Sequence, residues 1–224
     1  QYKTDLLDLR CMDCMELMME TPDNYYGLAC VDVPYGLKMD SRKMNGRVSG
    51  GRYKITQRQY LEKTWDDSAP DGEYWSELFR VSVNQIIWGA NHFISLIPYD
   101  SSCWIVWFKN GQSMSPCNAD CELAWTSFKK AVRIFEYPWS GFGHINAKES
   151  RIHPTQKPVK LYDWLLRNYA KPGDTILDTH LGSASIAIAC HYAGHHLTGC
   201  ELDPDYFEAA VERVKRETAQ MHFL

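Results

Sequence analysis

The sequence predicts an α/β fold built on a largely parallel sheet. Segments typical of strands, which are short and either apolar or alternately apolar and polar, are followed by segments of helical periodicity throughout the chain. This alternation of strands and helices places parallel strands side by side. The clearest unit is Thr175–Glu201, where a strand, a Gly-containing turn, a helix and a strand ending in an acid follow one another. The length of 224 residues fits one domain, with or without a small insertion.

In the first half of the chain, the spacing of apolar residues and the residues that interrupt it predict the elements. Strands are expected where apolar residues alternate or run together, at Thr4–Arg10, Gly27–Val31, Asn84–Gly89 and Cys103–Phe108. Helices are expected where apolar residues recur at helical spacing, in a short segment opened by Cys11–Cys14, at Asp71–Val83 and at Asn91–Ile97.

In the second half, Glu122–Phe128 and Ala131–Tyr137 are predicted to form a hairpin, with Lys129 and Lys130 at its turn. A helix is expected at Val159–Tyr169. The remaining elements are the strands Thr175–Asp178 and His196–Cys200, the helix Ile186–Tyr192 between them, and a last helix that Asp203 and Pro204 open.

Composition excludes several classes of protein. Hydrophobic residues make up 45% and aromatic residues 13% of the chain, which is too apolar for a disordered protein. No apolar run is long enough to span a bilayer and no signal peptide is recognisable, so a cytoplasmic location without membrane contact is expected. The net charge of −4 does not by itself indicate a nucleic-acid binder, although charge can be concentrated in one segment.

The eight cysteines lack the spacing of a secreted disulfide scaffold. A zinc site built from Cys11, Cys14, Cys117 and Cys121 is conceivable, but the second pair is irregularly spaced and no His belongs with it. Buried thiols in a reducing compartment are the favoured interpretation, so no metal is predicted.

The tetrapeptide Asp32-Val33-Pro34-Tyr35 follows the predicted strand Gly27–Val31 directly. A strand that ends in an acid, a proline and an aromatic residue holds these groups at the carboxyl edge of the sheet, where α/β proteins bind ligands. One carboxylate, one fixed carbonyl and one aromatic face suit a flat base that carries an amino group. The alternative is an ordinary strand-to-loop turn in which the acid is incidental.

Segment Leu37–Trp65 is rich in basic residues and glycine and contains few acids. It predicts a mobile basic flap that grips phosphates, with a solvated surface loop as the alternative. The candidate DNA-binding residues are Lys38, Arg42, Lys43, Arg47, Arg52, Lys54 and Arg58.

The unit Thr175–Glu201 has the order of elements with which Rossmann-like sheets bind a nucleoside. Glu201, at the end of its second strand, is placed to bind ribose hydroxyls. Its turn is not G-x-G-x-x-G, and the first strand ends in Asp178. Carboxylates there would oppose a pyrophosphate but suit a cationic ligand, such as the sulfonium and ammonium groups of S-adenosylmethionine. The alternative is an ordinary βαβ unit with a tight turn.

Four stretches together resemble the amino-group DNA methyltransferases. Asp32–Tyr35 resembles their D-P-P-Y motif, and Leu177–Ser185 resembles their cofactor motif D-x-F-x-G-S-G. His153–Pro158 is similar to their H-P-T-Q-K-P segment, and Glu201–Asp203 to the acid after the second strand. The catalytic motif precedes the cofactor motif, which resembles the permuted order of the beta-type adenine methyltransferases, and the short chain is most similar to compact phage or prophage members.

The resemblance implies a Rossmann-like methyltransferase fold, with a mixed, mostly parallel sheet and helices on both faces. Asp32 and the Val33 carbonyl would accept hydrogen bonds from the target amine, Pro34 would fix the backbone, and Tyr35 would stack on a flipped-out base. S-adenosylmethionine would be the cofactor. Its implied binding residues are Asp13, Cys14, Asp32, Thr155, Gln156, Lys157, Asp178, His180, Leu181, Gly182, Ser183, Glu201 and Leu202.

The implied activity is methylation of the N6 amine of adenine in double-stranded DNA. Its domain would divide into a catalytic half (1–108), a short target-recognition region (109–151) and a cofactor half (152–224). So small a recognition region implies a short target or a homodimer that shares the work. Two positions depart from the motifs: Val33 replaces the first proline, and Ala184 replaces a glycine and would be strained at positive φ.

Three alternatives stay open. Enzymes that methylate the N4 amine of cytosine more often carry Ser where this chain has Asp32. Methylation of RNA or of a protein glutamine is the second, although Asn at that position is the commoner signature of glutamine methylation. The third is a catalytically weak or inactive nucleic-acid-binding protein that keeps the cofactor fold.

Overall fold

The computed structural model describes residues 1–36, 69–109, 119–139, 152–153 and 155–219. The strands of these residues are β1 Tyr2–Lys3, β2 Leu7–Cys11, β3 Tyr26–Val31, β4 Ser82–Trp88, β5 Trp104–Phe108, β6 Cys121–Thr126, β7 Arg133–Glu136, β8 Thr175–Asp178 and β9 His196–Glu201. The α-helices are α1 Cys14–Glu20, α2 Gly72–Val81, α3 Val159–Tyr169, α4 Ser185–Ala193 and α5 Pro204–Thr218.

The strands form one sheet in the order β1-β2-β9-β8-β3-β4-β6-β5-β7. Its centre, from β2 to β4, is parallel throughout, and β5 and β7 are also parallel. Antiparallel pairing joins β1 to β2, β4 to β6 and β6 to β5. The predicted α/β fold with a mixed, mostly parallel sheet is therefore confirmed.

Helices cover both faces of the sheet, because consecutive residues of the central strands point to opposite sides. On β3, Leu28 and Cys30 belong to the same buried cluster as the apolar residues of α3, α4 and α5. Ala29 and Val31 belong to the other cluster, with residues of α1 and α2. A strand buried on both faces is apolar at every position, which is why β3 appears in the sequence as an unbroken apolar run.

Aspartate side chains fix where three of the helices begin. Asp13 accepts a hydrogen bond from the Met15 N–H at the start of α1. Asp71 does the same for two N–H groups of α2, and Asp203 for two of α5, where Pro204 also occupies the first turn. These local signals explain why the helices start close to their predicted positions.

The predicted hairpin between Glu122–Phe128 and Ala131–Tyr137 is wrong. Strands β6 and β7 are not neighbours, because β5 lies between them and pairs with both. Both edges of β6 are occupied, one by β4 and the other by β5, so β7 can only add beyond β5. The chain after Thr126 therefore crosses over β5 instead of turning back on β6.

The predicted helix Asn91–Ile97 is two 3-10 turns, Ala90–His92 and Ile94–Leu96. Phe93 separates them with φ −142° and ψ 30°, a conformation that no continuous helix contains. Among the helices of the described residues, none is both long enough and apolar enough to cross a membrane.

A zinc site that includes both Cys11 and Cys121 does not form, because the two residues are far apart in the sheet. Four strands separate β2, which carries Cys11, from β6, which begins at Cys121, a distance of about 24 Å at the usual spacing of strands. Cys117 lies outside the described residues. Within the described ranges, no group of three or more His, Cys, Asp or Glu side chains is arranged to hold a metal ion.

Candidate functional site

Three strands place acidic residues at one edge of the sheet. β3 and β9 both pair in parallel with β8, so the carboxyl ends of all three strands point the same way. Asp32 follows β3, and Asp178 and Glu201 end β8 and β9. A pocket opens at this edge, where ligands of α/β proteins bind. It is lined by Asp32, Val33, Pro34, Tyr35, Glu122, His153, Thr155, Gln156, Lys157, Tyr162, His180, Leu181, Gly182, Ser183, Ser185, Glu201 and Tyr206.

Most of the predicted site residues thus meet in one pocket, and four of the predicted cofactor residues lie outside its lining. Asp13 caps α1, and Cys14 begins that helix half-buried. Asp178 is buried and accepts a hydrogen bond from the His180 N–H at 3.1 Å. Leu202 is 69% exposed.

The turn between β8 and α4 is held by backbone contacts to β9. The Leu181 N–H donates to the carbonyl of Cys200 at 2.9 Å. The Gly182 N–H donates to Oε2 of Glu201 at 2.9 Å, and the Asp203 N–H donates to Oε1 of the same carboxylate at 3.0 Å. Glu201 therefore orders the turn, and each of its oxygens keeps a second lone pair for a ligand hydroxyl.

Ala184 has the left-handed conformation, with φ 55° and ψ 30°. This is the position where the resembled motif has glycine, and a residue with a Cβ atom pays about 1–2 kcal/mol there. The turn stays closed because the Ala184 N–H donates to the Leu181 carbonyl at 2.8 Å. The strain that the sequence predicted for a positive φ at this position is therefore present.

Arg213 on α5 supports the pocket from inside the protein and was missed from the sequence. Its guanidinium, 1% exposed, donates to the Ser183 carbonyl at 2.6 Å and to Ser185 Oγ at 2.9 Å. Ser185 Oγ in turn donates to the Lys157 carbonyl at 2.7 Å. This chain of contacts joins the turn between β8 and α4, which we call the cofactor turn, to the H-P-T-Q-K-P segment His153–Pro158. The available signal was an arginine between Ala210 and Val214 on the apolar face of the helix.

The aromatic ring of Tyr35 is fixed on three sides. Its hydroxyl donates to Asp32 Oδ1 at 2.9 Å, and its ring stacks on His92 with centroids 5.0 Å apart and planes 21° apart. Gly89, at φ 69°, lies against the ring, and a Cβ atom there would be 2.1 Å from Tyr35 Cε1. The sequence predicted Gly89 as the end of a strand, but it did not show that the Tyr35 ring packs against this glycine, because that contact forms only in the folded chain.

Lys157 bridges two carboxylates inside the pocket. Its ammonium lies 2.5 Å from Asp32 Oδ2 and 3.1 Å from Glu122 Oε2, and its side chain is 3% exposed. Lys109 lies 2.5 Å from the other oxygen of Glu122, Oε1. The Lys157 ammonium also lies 5.4 Å from the centre of the Trp88 ring, within cation–π range. Glu122 was missed from the sequence, where it appears only as an acid in a predicted strand.

Burial governs the protonation of the pocket. It raises the pKa of Asp32, while the nearby Lys157 ammonium opposes the rise. Burial, together with the charges of Asp32 and Glu201, raises the pKa of Asp178 to about 7. The imidazoles of His180 and His153 are buried, which lowers their pKa values to about 4 and about 3.

At neutral pH these two histidines are therefore uncharged, and the charge at the ends of β8 and β9 comes from the carboxyl groups of Asp178 and Glu201. Burial opposes ionisation of Glu122 too, but Lys157 and Lys109 outweigh it and lower its pKa to about 2. An environment of buried carboxylates and neutral imidazoles favours a cationic ligand over an anionic one.

A mostly parallel sheet, helices on both faces and a carboxylate-rich pocket at the strand ends agree with the fold of Rossmann-like methyltransferases. The family model described as DNA methylase, of the N6 and N4 type, matches residues 27–212. The chain belongs to this DNA methylase family, and it is accordingly a DNA methyltransferase.

Relatives and solved structures with this fold span nearly the whole chain. The type II methyltransferase M.HpaI of Haemophilus parainfluenzae is 22% identical and covers 93% of this chain and 74% of its own. The crystal structure of the M1.HpyAVI complex with S-adenosylmethionine superposes with a TM-score of 0.59, at 19% identity over 93% of this chain and 99% of that one. The cytosine-N4-specific PvuII DNA methyltransferase gives 0.63, at 13% identity over 97% and 92%.

Proposed function

We propose that the chain transfers a methyl group from S-adenosylmethionine to the N6 amine of adenine in double-stranded DNA. The observation that carries this proposal is Asp32, a carboxylate at the end of β3 that lines the same pocket as Glu201 and the turn between β8 and α4. An acid at the first position of D-V-P-Y favours the adenine amine, as the resemblance to the beta-type enzymes implies. The catalytic motif also precedes the cofactor motif, as in those enzymes.

The pocket fits the proposed cofactor by its charge. Asp178 and Glu201 would offset the cationic methionine end and hold the ribose, while the neutral imidazole of His180 adds no opposing charge. When bound, S-adenosylmethionine supplies a methyl group activated on a sulfonium. Asp13 and Cys14 at the start of α1 remain the residues proposed near its adenine ring, and Leu202 near its ribose.

The residues of D-V-P-Y would act on the base. The amine of adenine is a weak nucleophile because its lone pair is delocalised into the ring. Asp32 and the Val33 carbonyl, as two fixed acceptors, would hold the two amine hydrogens and aim the lone pair at the methyl group, so positioning supplies much of the rate. Extrusion of the base costs about a few kcal/mol, which stacking on Tyr35 would offset in part.

DNA contacts are proposed for residues outside the described ranges. The basic residues between Leu37 and Trp65 all lie there, as do residues 110–118 and 140–151 of the proposed recognition region 109–151. We propose that they grip the DNA backbone and read the target, alone or in a homodimer.

The test of the proposed function is single-turnover transfer from labelled S-adenosylmethionine to duplex DNA, followed by analysis of the methylated nucleosides. Wild type should yield N6-methyladenine. Asp32→Ala should keep its melting temperature and lose on the order of a hundredfold in rate, the usual effect of one lost transition-state hydrogen bond. Asp32→Asn, nearly isosteric, replaces it if the alanine variant does not fold.

The second candidate, methylation of the N4 amine of cytosine, is favoured by the similarity in fold to the PvuII enzyme. The same nucleoside analysis separates the two, since N4-methylcytosine as the product would replace the adenine proposal. Cofactor binding without turnover on any DNA would instead support a nucleic-acid-binding protein that keeps the fold.

A further inference from the structure

Asp32 belongs to a partly buried cluster of alternating charges, centred on the buried Lys157, that reaches from the pocket to the start of the proposed recognition region. The cluster runs through Asp32, Lys157, Glu122 and Lys109, with the ammonium of Lys157 between two carboxylates. We propose that Glu122 is a positioning residue that acts on Asp32 through Lys157: it shares the lysine, so that the ammonium does not cancel the negative charge that Asp32 presents to the target amine. This inference rests on the proposed function.

A lysine that paired with Asp32 alone would cancel the charge that the reaction needs. The Lys157 ammonium lies 2.5 Å from Asp32 Oδ2, so in isolation the two would form a neutral pair. Glu122, 3.1 Å from the same ammonium, gives Asp32, Lys157 and Glu122 together a net charge of minus one. Lys109, whose side chain is 26% exposed, balances Glu122 from its other oxygen, at the end of the cluster away from Lys157. As the target amine is methylated its nitrogen becomes positive, and a net negative charge in a buried pocket stabilises that change more than water would.

Glu122 also fixes the position of the Lys157 ammonium. Lysine carries three ammonium hydrogens on a flexible stem, and one carboxylate does not determine its direction. Asp32 follows β3 and Glu122 lies on β6, two strands away in the sheet, so the ammonium is held between two rigid elements. The Tyr35 hydroxyl holds the other Asp32 oxygen, Oδ1, at 2.9 Å. Both oxygens of Asp32 are thereby oriented before any base arrives.

Other titratable groups face Asp32, and most of them stay neutral. Burial raises the pKa values of the Tyr35 and Tyr162 hydroxyls and of the Cys30 thiol, so these groups carry no charge near neutral pH. Asp178, on the neighbouring strand β8, is the exception, because burial brings its pKa to about 7. A direct measurement on Asp32 is therefore needed beside the pH profile of the reaction.

Removal of Glu122 and removal of Lys157 should shift the pKa of Asp32 in opposite directions. A purely structural role of either residue would not produce opposite shifts. Glu122→Gln removes an anion, so the pKa of Asp32 should fall; Lys157→Gln removes a cation, so it should rise. Each shift should be about one pH unit or more. Glu122→Gln should also lower the single-turnover rate at its pH plateau by about tenfold, because the neutral Asp32–Lys157 pair stabilises the developing charge less.

The experiment measures single-turnover methyl transfer against pH for both variants, beside a carbon-13 carboxyl NMR titration of Asp32 assigned through Asp32→Asn. The control is Glu212→Gln, which removes an acid on α5 whose side chain is 71% exposed and paired with Lys215. It should leave both readouts unchanged.

Opposite shifts of the Asp32 titration, with a lower plateau in Glu122→Gln, support the inference. Shifts of the same sign, no shift, or a lower plateau without a shift overturn it. If Lys157→Gln does not fold, the downward shift in Glu122→Gln decides alone. If wild type transfers no methyl group to DNA, the proposed function fails, and the NMR titration still decides whether Glu122 acts on Asp32.

Discussion

Replacing Asp178 by asparagine should make the folded chain more resistant to alkaline pH and, at the same time, a weaker binder of S-adenosylmethionine. Asp178 is 3% exposed at the end of β8, and burial raises its pKa from 3.8 to about 7, with Asp32 and Glu201 adding to the rise. A residue that costs stability when it ionises, and that lies in a cofactor motif, is expected where function opposes stability.

The sign follows from the proton balance. A carboxyl whose pKa is raised in the folded state contributes stability that is complete below its unfolded pKa of about 3.8 and lost as the pH rises to about 7. At about 1.36 kcal/mol for each pH unit, the loss is about 4 kcal/mol, of which about 2.5 kcal/mol falls between pH 5 and pH 8. Relaxation of the site and access of water to the ionised carboxylate reduce this pH-dependent difference to about 1 kcal/mol.

The assay is thermal unfolding of wild type and Asp178→Asn at pH 5 and pH 8, with Asp5→Asn as a control at an exposed position. The melting temperature of Asp178→Asn relative to wild type should rise by about 3 °C between the two pH values, given about 2–4 °C per kcal/mol for a chain of this size. The control should show no such change. If the difference between Asp178→Asn and wild type is the same at both pH values, the reasoning about Asp178 is refuted.

Three further predictions concern the cofactor, the strained turn and the DNA. Glu201→Ala should markedly weaken S-adenosylmethionine binding in calorimetry, because it removes the proposed ribose acceptor and releases the Gly182 N–H; equal affinity would take Glu201 out of the site. Ala184→Gly should stabilise the fold by about 0.5 kcal/mol by relieving the left-handed backbone. Ala187→Gly, inside α4, should destabilise it by about 1 kcal/mol, and denaturant melts that show both variants less stable would contradict the strain. Replacing three basic residues by alanine should flatten the log–log salt dependence of DNA binding by about 0.9 per lost phosphate contact, whereas an unchanged slope would leave segment 37–65 a solvated surface. These residues are Arg47, Arg52 and Lys54.

Elements that depend on neighbours in sequence could be predicted, because their causes are local. The bounds of α3, Val159–Tyr169, and of β8, Thr175–Asp178, agree with prediction, since helical periodicity and a Pro-Gly turn define them. The pairing of β6 and β7 could not be predicted, because it depends on which edges β4 and β5 had already occupied. Proximity along the chain favours a hairpin, and the sheet as a whole overrides it.

The site shows the same division between local motif and distant support. Residues within the motifs, such as Asp32 and Gly182, could be assigned from their order along the chain. Glu122 and Arg213 could not, since Glu122 is a single charge on an otherwise uncharged strand and Arg213 is one of several charges on its helix. Their roles arise only when folding brings Glu122 to Lys157 and Arg213 to the cofactor turn.

Because β3 and β8 are adjacent, the two acids at their ends should titrate as neighbours, and this coupling leads to a last prediction. Asp32 raises the pKa of Asp178, and on the proposed function the cationic end of the cofactor favours ionised Asp178. Cofactor binding should therefore release a proton, and affinity should rise with pH from about 5 to 7 before it levels off.

Asp32→Asn removes a negative charge that raises the pKa of Asp178. It also leaves the Lys157 ammonium without its Asp32 partner, and the positive charge of Lys157 lowers the same pKa. The pKa of Asp178 should therefore fall. The rise in affinity should then be complete at a lower pH than in wild type, and the variant should bind relatively better at pH 5 to 6. Calorimetry at several pH values measures this without any turnover. A midpoint that stays in place or moves to higher pH would contradict the coupling, and would mean that ionisation of Asp32 does not raise the pKa of Asp178 across the adjacent strands β3 and β8.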